Sequence, residues 1–357
     1  MEDFYTREDK SKELIILKVK LPADAFTQSY KALLAEELKK TDMKGFRKGK
    51  FPADVLEQQI KPALLIETFQ RVAPYYVNAA IMKEKIEPAA APDYKDLGEL
   101  ETGKPIEFTV EVTVMPTFKL ANLKKIKPDT KPESATKEDI QKTLDNMFES
   151  NKEKIKEDKM DDKWALAIAK EYKFDDDVKD LETLKKKVTE IIDAQKAAYI
   201  RQAQESEVIR KAVKESKITI PEAAMHYEAH EREHAFQHEL EAVKMTAEDF
   251  CKQRDITMEQ LREQWHKDAQ EALENDVLFK TYANERGIEV DEKQFEEELN
   301  KIKMANIQKT PYDSKIYQDA AWLESAKSYI KKQKAFRAIV DEILGEFKPV
   351  NPEKSKK

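Results

Sequence analysis

The chain has 357 residues, room for roughly two or three domains. Charged residues make up 38% of it, glycine occurs only six times and the net charge is −7, a mix that favours long solvated helices and excludes bulk electrostatic binding to nucleic acid. The single cysteine, Cys251, excludes an internal disulfide and fits a reducing cytosol, and no apolar run approaches the roughly 18 residues of a membrane span.

Residues 1–12 are charged throughout and do not read as a signal peptide, so a cytoplasmic protein is expected. Residues 13–21, with Leu14, Ile16, Val19 and Leu21, read as a strand. Pro22 then starts a helix at a position where its missing N–H costs nothing. Phe26, Tyr30, Leu33, Leu34 and Leu38 fall on one face of that helix. Pro52 opens a second helix through Val55, Leu56 and Ile60, and a third stretch covers about 63–85, where Pro74 is expected to bend or break it. After a proline-bounded break at 87–92, the residues Ile106, Phe108, Val110, Val112 and Val114 alternate with polar ones, as in a half-buried strand. Strands at both ends with helices between them describe one α+β domain ending near Pro116.

From Phe118 to Thr136 the chain carries Pro128 and Pro132 and little apolar periodicity, which predicts an extended linker. Thr136 with Asp139 forms a capping-box pattern ahead of Ile140, Leu144 and Met147. Further helices are expected at 164–172, 181–215, 221–243, 246–253, 257–286, 291–303 and 313–346. The helix at 181–215 is uneven: Leu184, Val188 and Ile192 make an apolar start, Val208, Ile209 and Val213 an apolar end, and Ala197, Ala198, Tyr199, Ile200 and Ala203 fill the middle. Either it bridges two lobes with an exposed centre or it is an ordinary core helix. The acidic runs Asp161-Asp162 and Asp175-Asp176-Asp177 suit helix starts or loops better than catalysis.

The densest local signal is Gly45-Phe46-Arg47-Lys48-Gly49-Lys50-Phe51-Pro52. It holds two of the six glycines, and Asp42 is the only acid from Lys39 to Lys50. Gly45 and Gly49 suit a tight, backbone-exposed tip between two helices. Arg47 can fork onto a carboxylate or phosphate, Lys48 and Lys50 add point charges, and Phe46 offers an apolar anchor. Such a tip suits docking to a polyanionic surface; the plain alternative is a solvated turn.

With these residues in order, the chain resembles the trigger factor family of bacterial ribosome-associated chaperones. The loop from Gly45 to Pro52 is similar to the family's ribosome-docking motif in full. Lys83-Glu84-Lys85-Ile86-Glu87-Pro88 with Ala89-Ala90-Ala91-Pro92, the strand closing at Met115-Pro116, Ile218-Thr219-Ile220-Pro221-Glu222 and Arg286-Gly287-Ile288-Glu289-Val290 resemble further landmarks. The resemblance implies a mostly α, multidomain protein. Its parts would be an N-terminal α+β ribosome-binding domain over 1–116, a linker or arm over 117–160, an all-helical SurA-like chaperone domain over 161–347 and a disordered tail over 348–357. The implied partners are the large ribosomal subunit near the exit tunnel and unfolded or nascent polypeptides, with no membrane and no cofactor. Self-association as a homodimer off the ribosome is left open.

Family members usually carry an FKBP-type prolyl isomerase domain after the linker. Here the short charged stretch before Met160 is too small for a domain with its own core, so a chain without isomerase activity is expected. No P-loop pattern occurs, which agrees with a nucleotide-independent holdase. Client contacts are expected from apolar and adaptable side chains of the helical body: Tyr199, Ile200, Met225, Met304, Ile307, Tyr312, Ile316, Tyr317, Trp322 and Tyr329. The alternatives are an isomerase like full-length relatives and a periplasmic SurA-like chaperone.

One motif stands apart. His226, His230, His234 and His238 follow one another at intervals of four. With Met225, Ala229, Phe236, Leu240 and Val243 taken as the buried stripe, the row lies on the flank and far side of its helix. A solvated face, a pH-sensitive surface and a metal site are the three readings, and the row is too long for one ion to meet all four.

Overall fold

The computed structural model describes residues 4–41, 51–174, 177–307 and 316–347. The strands are β1 (Tyr5–Asp9), β2 (Leu14–Leu21), β3 (Asp93–Lys95) and β4 (Ile106–Thr113). The helices are α1 (Ala23–Lys40), α2 (Ala53–Lys83), α3 (Lys137–Asn151), α4 (Asp162–Glu171), α5 (Leu181–Glu215), α6 (Glu222–Ala242), α7 (Ala247–Arg254), α8 (Met258–Glu285), α9 (Glu292–Ile307) and α10 (Ala320–Leu344). Two compact units form, each from two stretches of chain: 1–118 with 219–277, and 119–218 with 278–357.

In the first unit the antiparallel sheet runs β1-β2-β4-β3. β2 and β4 pair along their whole length, with Leu17 opposite Val110 and Val19 opposite Phe108. Period-two alternation therefore turns Ile15, Leu17, Val19 and Leu21, with Ile106, Phe108, Val110 and Val112, onto one buried face. That face packs on Phe69, Ala73, Val77, Ala80 and Ile81 of α2. Lys20 and Glu107 pair across the strands on the other face at 3.1 Å.

α2 corrects the expectation of a break at Pro74. It is one helix of 31 residues with Pro62 and Pro74 inside it. A proline within a helix costs about 3 kcal/mol. Burying Leu56, Leu64, Phe69, Val77 and Ile81 outweighs that, at about 1.5–3 kcal/mol for each large side chain. β1 was not anticipated, because Tyr5 is its only buried residue; the Tyr5 hydroxyl donates to Glu84 and Arg7 pairs with the same carboxylate.

In the second unit, Leu144 of α3, Trp164 and Ile168 of α4, and Leu184, Val188 and Ile192 of α5 share one core. The helix starts are capped as the sequence suggests. Thr136 and Asp139 bond reciprocally at α3, and the Asp161 carboxylate accepts from the Lys163 and Trp164 N–H groups at α4. α8 ends on Gly287 at φ 63, a left-handed conformation that glycine adopts without Cβ strain, and Ile288 N–H closes on the Ala283 carbonyl at 2.8 Å.

The stretch from Phe118 to Thr136 is extended apart from a 3-10 turn at Leu123–Lys125. It is not a free linker. α5 satisfies its backbone from the side: Ala121 N–H donates to Ser216 (3.0 Å), Asp129 and Thr130 N–H to Glu207 (2.6 and 3.1 Å), and Ala135 N–H to Asp193 (2.6 Å). Gln204 donates to the Thr130 carbonyl and Lys211 to that of Lys127. α10 packs against α5 and the 3-10 turn.

Candidate functional site

α1 and α2 pack side by side, and the chain passes between them through residues 41–52. Tyr30, Leu33 and Leu64 are buried at this neck with Leu34, Ile60 and Leu65 against them. The Tyr30 hydroxyl donates to Glu57 at 3.0 Å. Burial, and then the Glu57 carboxylate, push the Tyr30 pKa up to about 12. Arg71 reaches Glu36 at 3.4 Å. α1 ends on Lys39 and Lys40, where cations complement the helix dipole, and α2 opens with Asp54 in its first turn. Gly45, Phe46, Arg47, Lys48, Gly49 and Lys50 lie outside the described residues.

The expected client contacts divide by exposure. Tyr199 is 76% exposed at the centre of α5, beside the half-buried Ile200. Both line a groove with Ala203, Lys196 and Thr130 of the extended segment. The uneven reading of α5 is therefore the observed one: Leu184, Val188 and Ile192 at one end and Val208, Ile209 and Val213 at the other are buried. Met304 is 73% exposed and Tyr329 55%. Tyr317 and Trp322 meet edge to face at 4.9 Å and are half-buried, as is Met225. Tyr312 and the side chains of Ile307 and Ile316 lie outside the described residues. The sequence reading did not single out Tyr75 and Met82, 74% and 78% exposed on α2. Their signal is that α2 carries apolar residues beyond the face that packs on the sheet.

His226, His230, His234 and His238 are exposed on α6, as expected. The buried stripe needs one correction: Val243 is exposed, because α6 ends at Ala242, and Ala224 and Leu240 hold the inner positions. His226 lies 3.4 Å from Glu222, and His238 3.5 Å from Glu241. Across the helices, Phe236 contacts Phe250 and Trp265, and Arg262 pairs with Glu233 at 2.7 Å. His226 meets His266 of α8 with 5.2 Å between ring centres. Among the described residues, no helix is long and apolar enough to cross a membrane.

Comparison with known proteins agrees with this architecture. A model described as bacterial trigger factor protein matches residues 5–147, and one for the trigger factor C-terminus matches residues 180–341. The trigger factor of Natranaerobius thermophilus is 30% identical over 156 residues, which are 43% of this chain and 34% of that protein. That match spans about a third of the relative's length. The trigger factor of Halalkalibacterium halodurans is 23% identical over 399 aligned positions, covering 85% of this chain and 90% of that protein. A solved structure from work on promiscuous substrate recognition in folding and assembly by the trigger factor chaperone has a TM-score of 0.50. It is 14% identical and covers 94% of this chain and 99% of its own, a likeness of fold. With one family model on the sheet and the α1–α2 pair and the other on the helices from α5 onward, the chain belongs to the bacterial trigger factor family.

Proposed function

We propose that this protein is an ATP-independent chaperone. It docks beside the polypeptide exit of the large ribosomal subunit through residues 45–50 and holds nascent or unfolded chains on its helical body. The observation that carries this reading is the basic, glycine-flanked segment set between two helices with a buried neck, in a chain that matches both family models. Arg47 forks onto a carboxylate or phosphate, Lys48 and Lys50 add charge, and Phe46 inserts as the apolar anchor. Residues 1–116 serve as the docking domain and 161–347 as the holding body, in the cytoplasm. Tyr199, Met304 and Tyr329, exposed on helices, offer scattered apolar contacts to clients that share only uncovered hydrophobic side chains.

The reaction of isomerase-bearing relatives is not part of this proposal. Between the two matched regions the chain holds the end of α3, then α4, and their core side chains close on α5. The 399 aligned positions with the Halalkalibacterium halodurans protein exceed the 357 residues of this chain, so that relative has residues without a counterpart here.

The test is co-sedimentation with ribosomes. Phe46→Ala with Arg47→Ala and Lys48→Ala should abolish pelleting with an unchanged circular dichroism spectrum, and wild-type pelleting should weaken with salt where phosphates are contacted. Undiminished pelleting of the triple variant would refute docking through this segment. A proline-limited refolding assay separates the second reading: acceleration of refolding would restore the isomerase.

A further inference from the structure

The histidine row is not used by chaperone docking, and the structure adds to it a residue that sequence spacing could not supply. His266 of α8 stands beside His226 of α6, and both line one groove of 820 Å³ with His230, one helical turn further on. We infer that His226, His230 and His266 form a binding site for a divalent transition-metal ion of the zinc class, clamping α6 to α8.

Two imidazoles on one tetrahedral zinc, each with a metal–nitrogen bond of about 2.0–2.1 Å, place their ring centres about 5 Å apart. The His226 and His266 rings are 5.2 Å apart. His230 is four residues from His226, and side chains at that spacing project from Cβ atoms about 5–6 Å apart on one helix face. Among the described residues, no three ligating side chains already stand in coordination reach. The third bond therefore requires rotation of the exposed His230 side chain, a ps–ns rearrangement for an exposed residue. Glu222, 3.4 Å from His226 Nε2, supplies the carboxylate that orients a ligating imidazole.

The helices that carry the ligands are already held together. Phe236 packs on Trp265 at 5.2 Å, and Arg262 pairs with Glu233 at 2.7 Å, so the nearest guanidinium has a carboxylate partner. Lys267 and Glu263 bring one charge of each sign to the same groove. The ion would thus meet a preset gap between helices, where two ligands are fixed and one swings in. This separates the site from the neighbouring His234–His238 pair, whose rings lie 4.6 Å apart on a single helix.

The experiment uses the full chain without a polyhistidine tag, with zinc chloride titrated by calorimetry at neutral pH. One ion per chain with micromolar affinity is expected, together with a rise in Tm on adding zinc. His266→Gln and His226→Gln should each weaken binding by about tenfold or more and abolish the Tm rise. His234→Gln with His238→Gln should leave both unchanged. Each variant's zinc-free denaturation midpoint is compared with wild type, so loss of binding is not confused with loss of fold. Millimolar affinity only, or binding that survives His266→Gln and is lost with the His234/His238 double variant, would overturn the cross-helix site.

Discussion

The Arg201 guanidinium donates to the Gly345 carbonyl oxygen at 2.8 Å, joining the middle of α5 to a residue 144 positions later, just past the end of α10. The same side chain pairs with Glu205 at 3.1 Å and lies over the Phe347 ring. A helix C-terminus leaves carbonyls unsatisfied, and a planar cation with several donors suits them. Arg201→Ala is expected to lower stability by about 2 kcal/mol, the scale of lost hydrogen bonds to a charged group. Arg201→Lys, a point charge without the fork, should recover only part of it. Urea denaturation measures both, and an unchanged midpoint for the alanine variant would show that the contact carries no net stability.

Leu144 tests whether α3 is part of the helical body. It is buried against the core that includes Trp164 and Leu184. Leu144→Ala should cost about 3 kcal/mol. With Trp265 and Trp322 replaced by Phe, emission from Trp164 should shift to the red as its cover loosens. Native stability and native emission together would make α3 a dispensable arm.

Pro74 sits inside α2 with its ring facing solvent. Alanine there gains roughly 3 kcal/mol of helix propensity and gives up about 0.4–1 kcal/mol by freeing the unfolded chain. Pro74→Ala is therefore expected to raise Tm by several degrees. A lower Tm would mean that the sheet packs on a curvature only proline supplies.

Glu207 carries an acid-sensitive clamp on the extended segment. Lys211 first, then the Asp129 N–H and the Thr130 hydroxyl, hold its pKa down at about 2. A depressed carboxylate stabilises the fold above its ordinary value near 4.3, and that contribution fades as pH falls from there toward 2. The denaturation midpoint of Glu207→Gln should lie below wild type at neutral pH, and the gap should close on acidification below about pH 4. A gap that persists unchanged to pH 2 would contradict the clamp.

What could be read in advance depended on how local the physics is. β2 and β4 were legible because alternation along each strand is the cause of their burial, and α5 because its Asp180–Thr183 cap and the chain beyond Glu215 mark both ends. β1 was opaque: with only Tyr5 buried, its partner β2 determines it rather than its own pattern. The continuity of α2 was misread because the local cost of Pro74 was visible and the gain from packing on the sheet was not. The fastening of 121–135 to α5 joins residues 57 to 95 positions apart, and nothing in 118–136 signals it. The same holds at the candidate sites. The basic tip at 45–50 is a contiguous motif and could be read directly, whereas His266 joins His226 only through the packing of α6 on α8.

Because the second unit is built from 119–218 and 278–357, its first half leaves the synthesis machinery long before its second. Elongation at about 5–20 residues per second delivers α10 several seconds after α5. Throughout that interval α5 and the turn at Leu123–Lys125 lack the helix that finally covers them. A protein of this family must therefore pass through a client-like state of its own, and its maturation is bound to follow chain termination rather than accompany translation.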